Sequence, residues 1–272
     1  FFDKPNAPYR AEEGAIFFFF FMQEVHMVAQ GKGGVGKTFI ASLVVQYLQG
    51  KTTHLHCYDT DPQNHSFANY PAFNAEVINI LNDDDSINTR PFDDLVEALI
   101  YQDGFAVVDN GSATFSPLMN YMAENDTANA LAEEGVRLVF HVPLDGGQAL
   151  TECVKGLDKI LEKHNADVIV WLNEHNGKIE LKGKTFKEFS VYKANQERIL
   201  GIVKIESLAA DTYGKDITTM TEMNLTFEEV KVSPEFRFAE KRRLNMVKES
   251  IFSQLDAIPL TDAEISHEPE TA

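Results

Sequence analysis

Cysteine is scarce in this chain of 272 residues, with Cys57 and Cys153 the only two. Two thiols cannot build a secreted disulfide framework, so a reducing cytoplasm is the expected compartment. Positive charge is also short: 24 Lys plus Arg stand against 42 Asp plus Glu, a net charge of −18. Such a surface repels phosphate on average. That excludes indiscriminate coating of a nucleic acid but leaves a focused basic patch open. Long apolar runs are missing too. The stretch from Ile16 to Met22 holds five consecutive phenylalanines but only seven residues, and a membrane span needs about 20. It makes a poor secretory signal, because Glu12 and Glu13 stand where positive charge belongs and no small-residue cleavage site follows. Residues 1–21 are therefore expected to be an unstructured or non-native leader, with Met22 the natural start. The competing reading is a short hydrophobic anchor or partner-binding tail. No internal repeat or linker is evident.

What is present from Val25 onward alternates in period. Val25–Gln30, His54–Tyr58, Phe105–Val108, Leu138–Val142, Val168–Leu172 and Gly201–Ile205 are short apolar runs that suit buried parallel strands. Between them, apolar residues recur at helical spacing. Phe39 to Leu48, Phe92 to Tyr101, Ser116 to Glu124, Thr127 to Glu134, Leu150 to Leu161 and Phe236 to Leu255 are the expected helices. This alternation predicts an α/β fold: a three-layer, doubly wound, mostly parallel sheet with helices on both faces. One domain over residues 22–257 is expected, followed by an acidic, disordered tail over 258–272. Ligands of such sheets sit beyond the carboxyl ends of the strands.

The segment Gly31-Lys32-Gly33-Gly34-Val35-Gly36-Lys37-Thr38 fits G-x-x-x-x-G-K-[ST], with an apolar strand before it and an amphipathic helix after it. Its glycines let successive N–H groups curl inward around phosphate oxygens, and the helix start adds a favourable dipole. Lys37 can reach the β- and γ-phosphates, and the Thr38 hydroxyl can ligate Mg²⁺. Phe105–Asp109 is an apolar strand ending in a carboxylate. That is the form of a Walker B segment, in which Asp109 would hold Mg²⁺ through water. ATP and Mg²⁺ are the implied cofactors.

Lys32 has no role in the plain motif. GKGGVGKT resembles the deviant phosphate loop of the ParA, MinD and ArsA class of P-loop ATPases, and Asp59-Thr60-Asp61-Pro62-Gln63 resembles the D-x-D-P-Q segment of its ParA-like branch. The resemblance implies that Lys32 reaches the partner's phosphates across a nucleotide-sandwiched homodimer. It implies that Asp61 orients the attacking water and senses the γ-phosphate, and that Asp59 lies nearer the metal. Asn173, just after a strand, would contact adenine. Asn110-Gly111-Ser112-Ala113-Thr114-Phe115 departs from the class, which often has a proline-containing turn there. The spellings of His26–Thr38, Asp59–Asn64 and Val107–Phe115 together are most similar to TraL-type conjugal-transfer proteins. They imply a role in plasmid transfer or maintenance through a plasmid-encoded partner protein.

The leading expectation is a slow, partner-stimulated ATPase acting as a dimeric switch. The alternative is a P-loop ligase or kinase acting on a small molecule. An iron–sulfur ATPase needs a cysteine after the Walker B strand, where this chain has none. Arg237, Lys241, Arg242, Arg243 and Lys248 share one expected helix, which makes DNA a possible further partner. The carboxyl end is acidic and holds Pro259 and Pro269, unlike a basic amphipathic membrane anchor.

Overall fold

The structure, a computed structural model, describes residues 22–62, 64–82, 84 and 87–261. The expected leader lies outside the described residues. The chain runs β1 (Met22–Val28), α1 (Lys37–Gln49), β2 (Leu55–Asp59), β3 (Glu76–Val77), α2 (Pro91–Tyr101), β4 (Gly104–Asp109), α3 (Phe115–Glu124), α4 (Thr127–Glu133) and β5 (Arg137–Asp145). It continues through α5 (Leu150–Lys163), β6 (Asp167–Asn173), β7 (Glu180–Leu181), β8 (Lys184–Thr185), α6 (Ser190–Ala194), β9 (Ile199–Ile205), α7 (Lys215–Glu222), α8 (Phe227–Val232) and α9 (Phe238–Asp256).

Seven strands form one sheet in the order β3-β2-β4-β1-β5-β6-β9, with every pairing parallel. The central strands read as unbroken apolar runs because both faces are covered: all six residues of β4 are buried, as are eight of nine in β5. The helices α2 to α6 cover one face with Leu95, Leu118, Leu131, Leu157 and Val191, while α1 and α7 to α9 cover the other with Val44, Met220, Val230 and Leu244. The expected three-layer, doubly wound class is the observed one. After β1 the chain winds outward to β2 and β3, returns to β4, and then crosses to β5 on the far side of β1. The carboxyl end of β1 is therefore the point where the winding reverses.

Two boundaries need correction. Residues 258–261, expected in the disordered tail, are part of the fold. Ile258 is buried and packs against Gly201, Pro259 accepts a hydrogen bond from Arg137, and Thr261 bonds to Glu24. The tail's acidic remainder, 262–272, lies outside the described residues. The last helix starts at Phe238 rather than Phe236, because the Glu240 carboxylate accepts the Arg237 N–H and caps the first turn.

The α1 face of the sheet buries a directed chain of polar groups. Trp171 has only a donor, and its Nε1–H points at His141 Nδ1, 2.9 Å away. His141 must then carry its proton on Nε2, which lies 2.9 Å from His26 Nδ1. That leaves the His26 proton on Nε2, which lies 3.2 Å from Glu24 Oε1 without the geometry of a hydrogen bond. The other Glu24 oxygen accepts from Thr261 and Arg137, so the chain ends on the segment after α9. Burial lowers His26 to about 4 against the pull of Glu24, and it lowers His141 well below its usual value.

A histidine with a depressed folded-state pKa stabilises the fold above its unfolded value of 6.5, and that stability is lost as pH falls through the folded value. For His26 alone the loss between pH 6.5 and about 4 is about 3 kcal/mol. Urea unfolding across that window should show the fall, and His26→Gln should make it shallower. An equal slope in the variant would remove His26 as the source.

Candidate nucleotide-binding site

The phosphate loop leaves β1 through a buried amide. Gln30 Nε2 donates to the carbonyls of Pro143 (3.1 Å) and Cys153 (3.0 Å), and its Oε1 accepts the Gly31 N–H at 2.9 Å. The loop entrance is thus fastened to β5 and α5. Gly34 and Gly36 take left-handed φ values of 73° and 91°, which a side chain would resist. Gly36 precedes α1, and no side chain caps the helix, so its first N–H groups face the loop. Lys37 is buried and donates from Nζ to the Lys32 carbonyl at 3.2 Å. Burial lowers its pKa, while Asp109 and Asp61 oppose the shift.

The sheet register supplies the acids. Asp59 on β2 and Asp109 on β4 are direct partners, and Asp109 also pairs with Val28 on β1. The Thr38 hydroxyl donates to Asp109 Oδ2 at 2.6 Å. Asp109 is 3% exposed, and burial lifts its pKa to about 7, with nearby Asp59 adding to the rise. Its Oδ1 is buried with no hydrogen-bond partner among the described residues.

Asp59 is differently employed. Its Oδ1 accepts the Asp61 N–H at 2.9 Å and its Oδ2 the Ala68 N–H at 3.0 Å. Both oxygens thereby shape the loop that presents Asp61. Asp61 is half-buried and accepts the Asn64 N–H, and it packs against Gly111 so closely that a Cβ there would lie 2.8 Å from its Cα. Asn173, at the end of β6, donates to the Val35 carbonyl at 3.2 Å and accepts from the His175 N–H. It lines a cleft of about 790 Å³ whose near wall includes Gly34, Gly36 and Thr38 and whose far wall includes Tyr213, Ile217 and Met246.

These residues fit the cofactors that the sequence implies. A hydroxyl and a carboxylate are hard oxygen donors, and the unanswered Asp109 oxygen is one a cation would satisfy. Among the described residues no group of three or more His, Cys, Asp or Glu could hold a metal unaided. The cleft is of ordinary ligand size.

Other expected residues lie apart. Lys32 points outward at 44% exposure, and its nearest carboxylate is Glu152 Oε2 at 3.9 Å. In the basic helix, Arg243 is paired with buried Asp216, Lys248 with Glu228, and Lys241 donates to the Lys231 carbonyl. Arg237 and Arg242 remain exposed. Cys57 and Cys153 are buried on β2 and α5. Sequence reasoning missed Gln30 as a clamp and Tyr213 and Met246 as cleft wall. A glutamine closing an apolar strand was the available signal for the first; the second had none, being brought in by tertiary packing.

A model of the CobQ/CobB/MinD/ParA nucleotide binding domain matches residues 26–221. Two Escherichia coli proteins, each called protein TraL, are 40% identical to this chain. One match runs over 237 residues, 86% of this chain and 98% of the relative; the other runs over 238 residues, 87% and 98%. Among solved structures, the MinC:MinD cell division protein complex of Aquifex aeolicus is similar at 14% identity with a TM-score of 0.47, covering 88% of this chain and 98% of that one.

Lys37→Ala removes an ammonium already aimed into the loop. Binding of a fluorescent ATP analogue should weaken by about 10- to 100-fold, the scale of one or two charge-assisted hydrogen bonds. Unchanged affinity in a folded variant would show that the phosphates sit elsewhere.

Proposed function

The chain belongs to the CobQ/CobB/MinD/ParA nucleotide-binding family, and we propose that it is an ATP-hydrolysing switch protein of plasmid conjugal transfer or maintenance. Two copies would close face to face over Mg²⁺ and ATP, and a plasmid-encoded partner would read the closed state. The likeness to the two TraL proteins, over nearly their whole length, supports the plasmid setting.

The observation that carries the reading is the divergence of two lysines on one loop. Lys37 is buried and turned back across its own loop, whereas Lys32 faces solvent beside Glu152. A buried cation can serve only the nucleotide of its own subunit. An outward cation one residue into the loop is placed to meet the phosphates of a second copy, in the manner of a charge supplied in trans. Within each subunit, Thr38 and Asp109 would hold Mg²⁺. Asn173 would lie beside the base, and Asp61 would orient water for attack on the γ-phosphate. The metal supplies charge neutralisation of the transferred phosphoryl group.

Scattering-based mass of the full chain should show a monomer with ADP and a dimer with ATP. Lys32→Ala should keep nucleotide affinity within about fivefold, since an exposed ion pair contributes little, yet lose the dimer. Normal hydrolysis by that variant would end the sandwich reading. Asp61→Ala should accumulate the ATP-bound dimer, and full turnover would deny its role. ATP-dependent retention on DNA at low salt, lost in Arg237→Ala plus Arg242→Ala, would add DNA as a partner.

A further inference from the structure

Beneath the site, two hydroxyls from different loops share one acceptor. Asn110, the first residue after β4, is fully buried. Its Oδ1 accepts the Thr60 hydroxyl at 3.0 Å and the Thr114 hydroxyl at 2.6 Å. Thr60 stands between Asp59 and Asp61, and Thr114 is the last residue before α3. The strand pleat explains the meeting. Asp59 and Asp109 are register partners that turn toward Thr38 and α1, so Thr60 and Asn110, one residue further on, turn to the opposite face.

Each hydroxyl has a single hydrogen and a second acceptor within reach. The Asp109 carbonyl lies 3.3 Å from Thr60 Oγ1, and the Gly111 carbonyl lies 2.9 Å from Thr114 Oγ1. Asn110 Nδ2 is buried with no partner among the described residues. Both neighbouring loops touch the nucleotide machinery: Gly111 packs on Asp61, and the Phe115 ring at the start of α3 packs on Gly31.

We propose that Asn110 is a positioning residue for hydrolysis, the joint that holds the Asp61 loop and the start of α3 in one of two arrangements. In the first, both hydroxyls converge on its Oδ1. In the second, they fall back on the Asp109 and Gly111 carbonyls and the amide turns. There the turned amide would donate from Nδ2 to both hydroxyl oxygens, so each arrangement leaves one amide atom unanswered, Nδ2 in the first and Oδ1 in the second. Asn110 acts through Asp61 and contacts no phosphate. The proposal rests on the hydrolysis reading above.

The test compares Mg·ATP turnover and fluorescent ATP-analogue binding in the unmodified protein, Asn110→Ala, Thr60→Val and Thr60→Ser. Asn110→Ala and Thr60→Val should lower kcat at least about tenfold while KM and analogue affinity stay within about twofold. Thr60→Ser keeps the hydroxyl and should restore turnover. If Asn110→Ala fails to fold, the Thr60 pair decides. The joint is overturned by near-normal kcat in the folded variants, by a loss shared between kcat and KM, or by Thr60→Ser failing as Thr60→Val does. Absence of turnover in the unmodified protein would overturn the hydrolysis reading itself, and the joint with it.

Discussion

A carboxylate sealed inside the protein with one oxygen unanswered sets the terms for the whole site. Taking an anion out of water costs several kcal/mol unless charge and hydrogen bonds offset it. Asp109 receives one hydrogen bond from Thr38 and the influence of Lys37, yet burial and Asp59 still lift its pKa to about 7. Lys37 is in the mirror position: burial lowers its pKa while Asp109 and Asp61 hold it up. Each group is tolerable because the other is there. Three carboxylates against one buried ammonium leave negative charge in excess, which is the electrostatic setting a divalent cation answers.

No single segment contains that arrangement. It follows from strand order, since β2, β4 and β1 are neighbours and parallel, so the loops after all three open at one edge. The acids approach the phosphate loop from the β2 and β4 side. Amides secure it from the other: Gln30 ties its entrance to β5 and α5, and Asn173 on β6 holds the Val35 carbonyl. The clamp holds a glycine-rich loop, whose backbone has many accessible states, in one path with left-handed φ values at Gly34 and Gly36. Its neighbours thus fasten the loop at its entrance and at Val35.

The parts that were legible in the sequence are those whose physics is local. Buried parallel strands must be continuously apolar, so β1, β4, β5 and β6 could be read to within a few residues. The glycine spacing of the phosphate loop announces itself because nothing else needs that backbone. β3, of two exposed residues, carries no alternation to read, and the short β7–β8 pair and α6 to α8 carry too few apolar positions. Asp59 shows the deeper limit. Its type and position suggest a place near the metal, but nothing in the spelling shows that its two oxygens also accept the N–H groups of Asp61 and Ala68. The basic segment from Arg237 to Lys248 shows the same limit, because Asp216 and Glu228, which pair with Arg243 and Lys248, lie on other helices.

The contrast between Lys32 and Lys37 then becomes an argument about where charge is affordable. An ammonium can be buried only opposite carboxylates, and the loop has one such place, which Lys37 fills. A second lysine on the same loop must stay hydrated, and Lys32 does, with only a long surface pair to Glu152 to restrain it. Such a pair is worth little and yields to any stronger anion that approaches from outside. The net charge of −18 makes two copies repel at a distance. The proposed closure of two copies would therefore need cations at the contact itself, delivered where phosphates are there to meet them. An outward lysine on the phosphate loop would meet that condition.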